Sequence, residues 1–228
     1  MITEEIAHIN GIPKKLIVFL HGYQDYAEHI DRKTSALKQL PDVAFHIPQA
    51  PFASEIDEQK KQWFSMHRFD PEDRRRLTPS WIEFVEYYNR MTIGLAEANQ
   101  YIAEYVDSLL NEYGLGYEDL FLCGFSQGAM CAMYTALMCP HKVAAVISFS
   151  GILAAQGYIA QHLKSRPEFF LLHGRCDNKI RFEAMEFTKQ NLQELHCKVE
   201  TCAIEQVTHR LVSEAVDKAV LFIKDRLK

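Results

Sequence analysis

A chain of 228 residues with a formal net charge of −5 gives no electrostatic ground for binding nucleic acid or an anionic membrane. With 48% apolar and 24% charged residues it can bury a full core, which excludes extended disorder, and the length suits one domain over 1–228. No apolar stretch approaches a membrane span, and the N-terminal Met-Ile-Thr-Glu-Glu lacks a basic region followed by an apolar one, so a cytoplasmic protein without integral membrane association is expected.

Strand and helix patterns alternate along the chain. Continuous apolar runs at 16–20 and 43–47 read as buried strands, the first ending at His21-Gly22 and the second at Pro48. Segment 52–93 breaks the rhythm with Trp63-Phe64, a charged stretch and the aromatic cluster Trp81, Phe84, Tyr87 and Tyr88. It reads either as a substrate-facing insertion or as an irregular helical cover. Its basic run Arg74-Arg75-Arg76, set beside Asp70, Glu72 and Asp73, reads as a solvated loop, with a phosphate or headgroup site as the alternative. An amphipathic helix follows over 94–113, stopped by Gly114. Strands are expected at 120–123, 143–149, 169–172 and 198–204, with helices at 129–138, 182–195 and 211–226. This pattern predicts an α/β fold: a mainly parallel sheet with helices on both faces, and its strands' C-terminal ends gathered on one edge.

At that edge stands Gly124-Phe125-Ser126-Gln127-Gly128. A serine between two glycines, after a strand and before a helix, has the form of a nucleophile elbow. The tight turn needs small neighbours and lifts the hydroxyl out of the sheet. A serine needs a base, and the base needs an acid to hold its tautomer. In this architecture the chain order is serine, acid, histidine. Asp177 falls in the loop after strand 169–172, on the same edge; His209 falls in the loop after strand 198–204. His173 precedes the acid and reads as part of the turn that carries it. The backbone N–H groups of Gln127 and Tyr23 are the expected oxyanion donors. None of the six cysteines forms a Cys-x-x-Cys pair, so no metal site is indicated; Cys176, next to the acid, reads as a buried, inert thiol, with a redox-sensitive thiol as the alternative.

These pieces resemble the phospholipase/carboxylesterase family of α/β-hydrolases, which includes the acyl-protein thioesterases. The matching residues are Phe19-Leu20-His21-Gly22 with Asp25, Pro48-Gln49-Ala50-Pro51, Trp63-Phe64, Gly124 to Gly128, Ser150-Gly151, His173-Gly174 with Asp177 and Ile180, and His209. The resemblance implies an α/β-hydrolase without a large cap. It implies a serine hydrolase of carboxylic esters or thioesters, needing no cofactor or metal, with Ser126, Asp177 and His209 as triad and Tyr23 and Gln127 as oxyanion donors. Its partner would be a small-molecule ester or thioester, an acylated protein or a lysophospholipid. Trp63, Phe64 and Trp81 are expected to receive the acyl part. Tyr23-Gln24 stands where the family usually has Leu-Gly, Ala129 where a third glycine often follows the elbow, and Gln206-Val207-Thr208 where a glycine is usual; these changes bear on the substrate rather than the chemistry. Another hydrolase activity (lysophospholipase, lipase or peptidase) and a non-catalytic ligand-binding module stay open as rivals.

Overall fold

The apolar runs become the strands of one sheet. The computed structural model describes residues 2–227. Its strands are β1 (Glu5–Asn10), β2 (Lys15–Leu20), β3 (Val43–Pro48), a two-residue hairpin of β4 (Phe52–Ala53) and β5 (Lys61–Gln62), then β6 (Leu120–Phe125), β7 (Ala145–Phe149), β8 (Glu168–Gly174) and β9 (Val199–Ile204). The main sheet runs β1-β3-β2-β6-β7-β8-β9. Only β1 is antiparallel, pairing Glu5 with Pro48 through Asn10 with Val43; every other neighbour in this sheet is parallel. The helices are α1 (Ala27–Lys33), α2 (Arg74–Leu77), α3 (Trp81–Asn89), α4 (Thr92–Tyr113), α5 (Gln127–Met138), α6 (Gln156–His162), α7 (Glu183–Glu194) and α8 (Ser213–Lys224).

Side chains alternate along each central strand, and this sorts the core into two layers. Leu16, Val18 and Leu20 of β2 face α4 and α5, together with Leu122 of β6 and Phe169 of β8. Ile17 and Phe19 face the opposite layer, where α1 and α8 bring Ile30, Val216, Ala219 and Ile223. Residues 127–137 of α5 are all buried, as a helix apolar on every side should be. The result is an α/β-hydrolase fold, a mostly parallel sheet clothed by helices on both faces. Among the described residues no helix is long and apolar enough to cross a membrane.

The expected central strands and long helices appear within about three residues of their predicted ends. β1 and α1 do not stand out in the sequence. β1 is an edge strand whose residues are exposed or only half-buried, so its alternation is weak. Segment 52–93 folds as the small hairpin plus α2 and α3, and it seats Trp63, Phe64, Phe84 and Tyr88 in the core.

Candidate active site

Ser126 closes β6 and caps α5 with φ 54° and ψ −115°, a backbone conformation that costs a non-glycine residue about 1–3 kcal/mol. Hydrogen bonds hold it there: its amide donates to the Phe149 carbonyl at 2.9 Å, and its carbonyl accepts from the amides of Ala129 (3.0 Å) and Met130 (3.1 Å). The flanking glycines answer a steric need. A Cβ on Gly124 would stand 2.4 Å from the Gly128 carbonyl, and one on Gly128 would stand 2.1 Å from the Leu20 carbonyl oxygen. The elbow is therefore pressed against both α5 and the end of β2.

The Ser126 hydroxyl donates to His209 Nε2 at 2.9 Å, and His209 Nδ1 donates to Asp177 Oδ2 at 2.7 Å. Asp177 Oδ1 accepts from the amides of Lys179 and Ile180, both at 2.9 Å. His173 Nε2 faces the Ile180 carbonyl at 2.9 Å and Asp177 Oδ2 at 3.4 Å. Burial pushes the Asp177 pKa up, but the imidazoles of His173 and His209 outweigh it and hold the carboxyl well below the usual carboxylate range. A charged carboxylate facing Nδ1 selects the tautomer that leaves Nε2 free to take the serine proton. The Phe125 ring packs against the imidazole, with centroids 4.9 Å apart.

The loop that carries His209 is seated on the turn that carries Asp177. Cys176 N–H donates to the Val207 carbonyl at 2.9 Å, and Arg175 N–H to the Ile204 carbonyl at 3.0 Å. A Cβ on Gly174 would meet that same Val207 oxygen at 2.3 Å, so the loop passes at this distance only over a glycine.

Opposite the serine, the loop after β2 is braced from within. His21 is fully buried; its Nδ1 donates to the Gly22 carbonyl at 2.8 Å and its Nε2 accepts from Ala50 N–H at 3.0 Å. Both contacts are met by a neutral ring, and burial lowers the His21 pKa. Asp25 Oδ1 accepts from the Tyr26 amide at 2.9 Å and from His29 Nδ1 at 2.8 Å. Gln127 has a buried side chain as well as an amide in the first turn of α5: Oε1 accepts from Trp63 N–H at 3.0 Å, and Nε2 donates to the Phe64 carbonyl at 2.8 Å. Trp63 Nε1 in turn donates to the His21 carbonyl at 2.8 Å. A cleft of about 410 Å³ opens at Ser126 and His209, and Tyr23 lies on its wall.

A family model described as phospholipase/carboxylesterase matches residues 2–227. The chain belongs to the phospholipase/carboxylesterase family. Members of this family are hydrolases, and this one is an enzyme of the carboxylesterase and acyl-thioesterase type. It is similar to acyl-protein thioesterase 1 of Neurospora crassa, with 22% identity over 92% of this chain and 86% of the relative. A protein of Oryza sativa subsp. japonica named a probable carboxylesterase is 26% identical over 92% of this chain and 88% of its own length. In structure the chain is similar to the esterase PE8, with TM-score 0.84, 26% identity and 97% of each chain covered.

The aromatic residues expected to receive an acyl group lie elsewhere in this family member. Trp63 and Phe64 are buried in the core at 0% and 1% exposure, held there by Gln127, and neither lines the cleft. Trp81 stacks on Phe84 at 5.3 Å and meets Phe187 of α7 edge-on at 5.7 Å, so it joins α3 to α7. The solvated reading of the basic run fails at its middle residue: Arg75 is 2% exposed, ion-paired to Asp70, and part of the cleft wall. Asp70 and Asp73, five and two residues before it, were the available signal for a paired arginine. Cys176 also differs from expectation, being exposed and outside the cleft lining. Gln24 and Gln206, which fall in two stretches where the family usually carries glycine, adopt φ 57° and 54°. A left-handed backbone of this kind is one that glycine adopts without strain.

Proposed function

We propose that this enzyme hydrolyses carboxylic esters or thioesters through an acyl-enzyme on Ser126. The observation that carries the reading is the continuous relay of 2.9 Å and 2.7 Å from Ser126 through His209 to Asp177. His209 Nε2 takes the hydroxyl proton as Ser126 Oγ attacks the carbonyl carbon. The tetrahedral oxyanion is received by the amides of Gln127, at the positive end of α5, and Tyr23. Collapse breaks the acyl bond to the leaving oxygen or sulfur, and His209 returns the proton to it. A water molecule then attacks the acyl-enzyme, with His209 again as base, and releases the acid and free Ser126. Relatives named for acyl-protein and carboxylic ester substrates bring both thioesters and oxygen esters within this scheme, because the attack on the carbonyl is common to them.

Substituting Ser126→Ala tests the assignment. Turnover of a p-nitrophenyl ester should fall by about 10³-fold or more. A fluorophosphonate probe should label the native protein at Ser126 and leave the variant unlabelled. Turnover kept in the variant would remove Ser126 from the mechanism, and failure of the folded native protein to label would favour a ligand-binding role for the cleft.

A further inference from the structure

A second cavity adjoins the catalytic cleft at His209. It measures about 380 Å³ against about 410 Å³ for the cleft, and the two share four wall residues: Asp25, His29, Phe125 and His209. Beyond these they diverge. The cleft includes Tyr23 and Ser126 and runs on to Met130, one turn into α5, and to Tyr88 of α3. The second cavity follows the chain from His209 through Leu211 and Val212 to Ser213, the first residue of α8, and includes Ile30 and Lys33 of α1.

The chemistry at Ser126 gives each space a different occupant. The tetrahedral centre carries four groups: Ser126 Oγ, the oxyanion, the acyl chain and the leaving atom. The oxyanion turns toward the amides of Tyr23 and Gln127. The leaving atom has to come within hydrogen-bond reach of His209 Nε2, which returns the serine proton to it. Whatever hangs on that atom extends past His209, where residues 209–213 line the second cavity. The acyl chain is left with the cleft beside Ser126 and Met130.

The second cavity suits an apolar body. Apart from Asp25 and His209, its buried and half-buried wall residues are Ile30, Phe125, Leu211 and Val212, whereas its exposed ones are polar. Asp25 is engaged by the Tyr26 amide and His29. The volume lies within the range of about 300–1,000 Å³ typical of small-molecule sites.

Resting on the hydrolase reading above, we propose that this cavity is the subsite for the alcohol or thiol part of the substrate, and that it gives the enzyme a second activity, transfer of the acyl group from Ser126 to an apolar alcohol. A site that releases an alcohol also receives one, by microscopic reversibility. The incoming alcohol gives its proton to His209 Nε2 as its oxygen bonds to the acyl carbon. The bond from that carbon to Ser126 Oγ breaks, Oγ takes the proton back, and an ester departs in place of the acid. Water has no apolar body to bury, so each CH₂ of the alcohol held in the cavity favours transfer over hydrolysis by up to about fourfold.

Partitioning of the acyl-enzyme tests this. The native protein is given p-nitrophenyl acetate or p-nitrophenyl pentanoate with methanol or 1-butanol at equal concentration, and ester and acid products are measured by chromatography. The ester-to-acid ratio should rise about tenfold or more from methanol to 1-butanol, with both acyl groups. That rise should shrink about fivefold or more in Lys33→Trp or Ser213→Trp, each of which puts an indole at an exposed position on the cavity wall without disturbing core packing. Equal ratios for the two alcohols, or a rise that neither variant moves, overturn the proposal. A rise that is lost with the pentanoyl group also overturns it, because the alcohol would then be competing with the acyl chain for the cleft. Turnover and fluorophosphonate labelling without any ester product sink this inference alone; absence of both turnover and labelling overturns the hydrolase reading itself.

Discussion

Replacing Gln127 by leucine separates what its side chain does from what its backbone does. The side chain is wholly buried and meets two backbone groups that have no access to water: Trp63 N–H at 3.0 Å and Phe64 C=O at 2.8 Å. Leucine is of similar size and leaves both groups unpaired. Each orphaned buried group costs about 1–3 kcal/mol, so Gln127→Leu should destabilise the protein by about 2–5 kcal/mol. For a chain of this length that is a fall in Tm of roughly 5–15 °C, a large part of an ordinary domain's stability. The Gln127 amide is untouched by the substitution. Turnover of a short p-nitrophenyl ester, measured well below the unfolding transition, should therefore drop far less than in Ser126→Ala. The assay is the urea midpoint with an unchanged m-value, alongside kcat on the same preparation. A Gln127→Leu protein within about 0.5 kcal/mol of the parent would refute the claim that this amide clamps the 63–64 segment to the elbow. Gln127→Glu adds a check by pH. Its second oxygen would face the Phe64 carbonyl, repelling it when ionised and donating to it when protonated. The folded pKa is thereby raised, so stability is kept below the unfolded glutamate value near about 4.3 and lost as pH rises through the folded value.

Further outcomes are expected elsewhere. Gly174→Ala would drive a Cβ to 2.3 Å from the Val207 oxygen, which is backbone and cannot swing aside. A stability loss of about 1–3 kcal/mol should accompany a fall in kcat of about tenfold or more as His209 shifts; native kcat and Tm would contradict the seating of that loop. Arg226, against the opposition of burial and with help from Lys198, pushes the Glu168 pKa down to about 2, and Asp177 is depressed as well. Both carboxylates contribute stability that is fully present above the unfolded value near about 4 and lost as pH falls through the folded values. The urea midpoint should therefore fall below about pH 4, and Glu168→Gln should flatten that dependence; an unaltered acid profile would dissociate Glu168 from acid stability. Native thiol titration should modify exposed Cys176 first, because burial pushes the Cys123 and Cys131 thiols up, and Cys176 modification should leave ester hydrolysis near its starting rate. Loss of activity in proportion to labelling would tie that thiol to the site.

Much of the architecture was legible locally. Apolar runs such as 16–20 and 120–123 can only be strands buried on both faces, and the glycines around Ser126 state a steric demand that a few neighbouring atoms decide. Chain order then narrowed the acid and the base to Asp177 and His209, because the parallel topology puts the ends of β6, β8 and β9 on one edge. The rest depended on contacts between distant segments. Whether Trp63 faces a substrate or the core is decided by Gln127, 64 residues away, and whether Arg75 is solvated is decided by where α2 packs. Local sequence sets the menu of turns, strands and caps, since their energies are short-ranged. Burial and ion pairing emerge only when segment 52–93 packs against the rest of the chain, because both are properties of the surroundings that folding assembles.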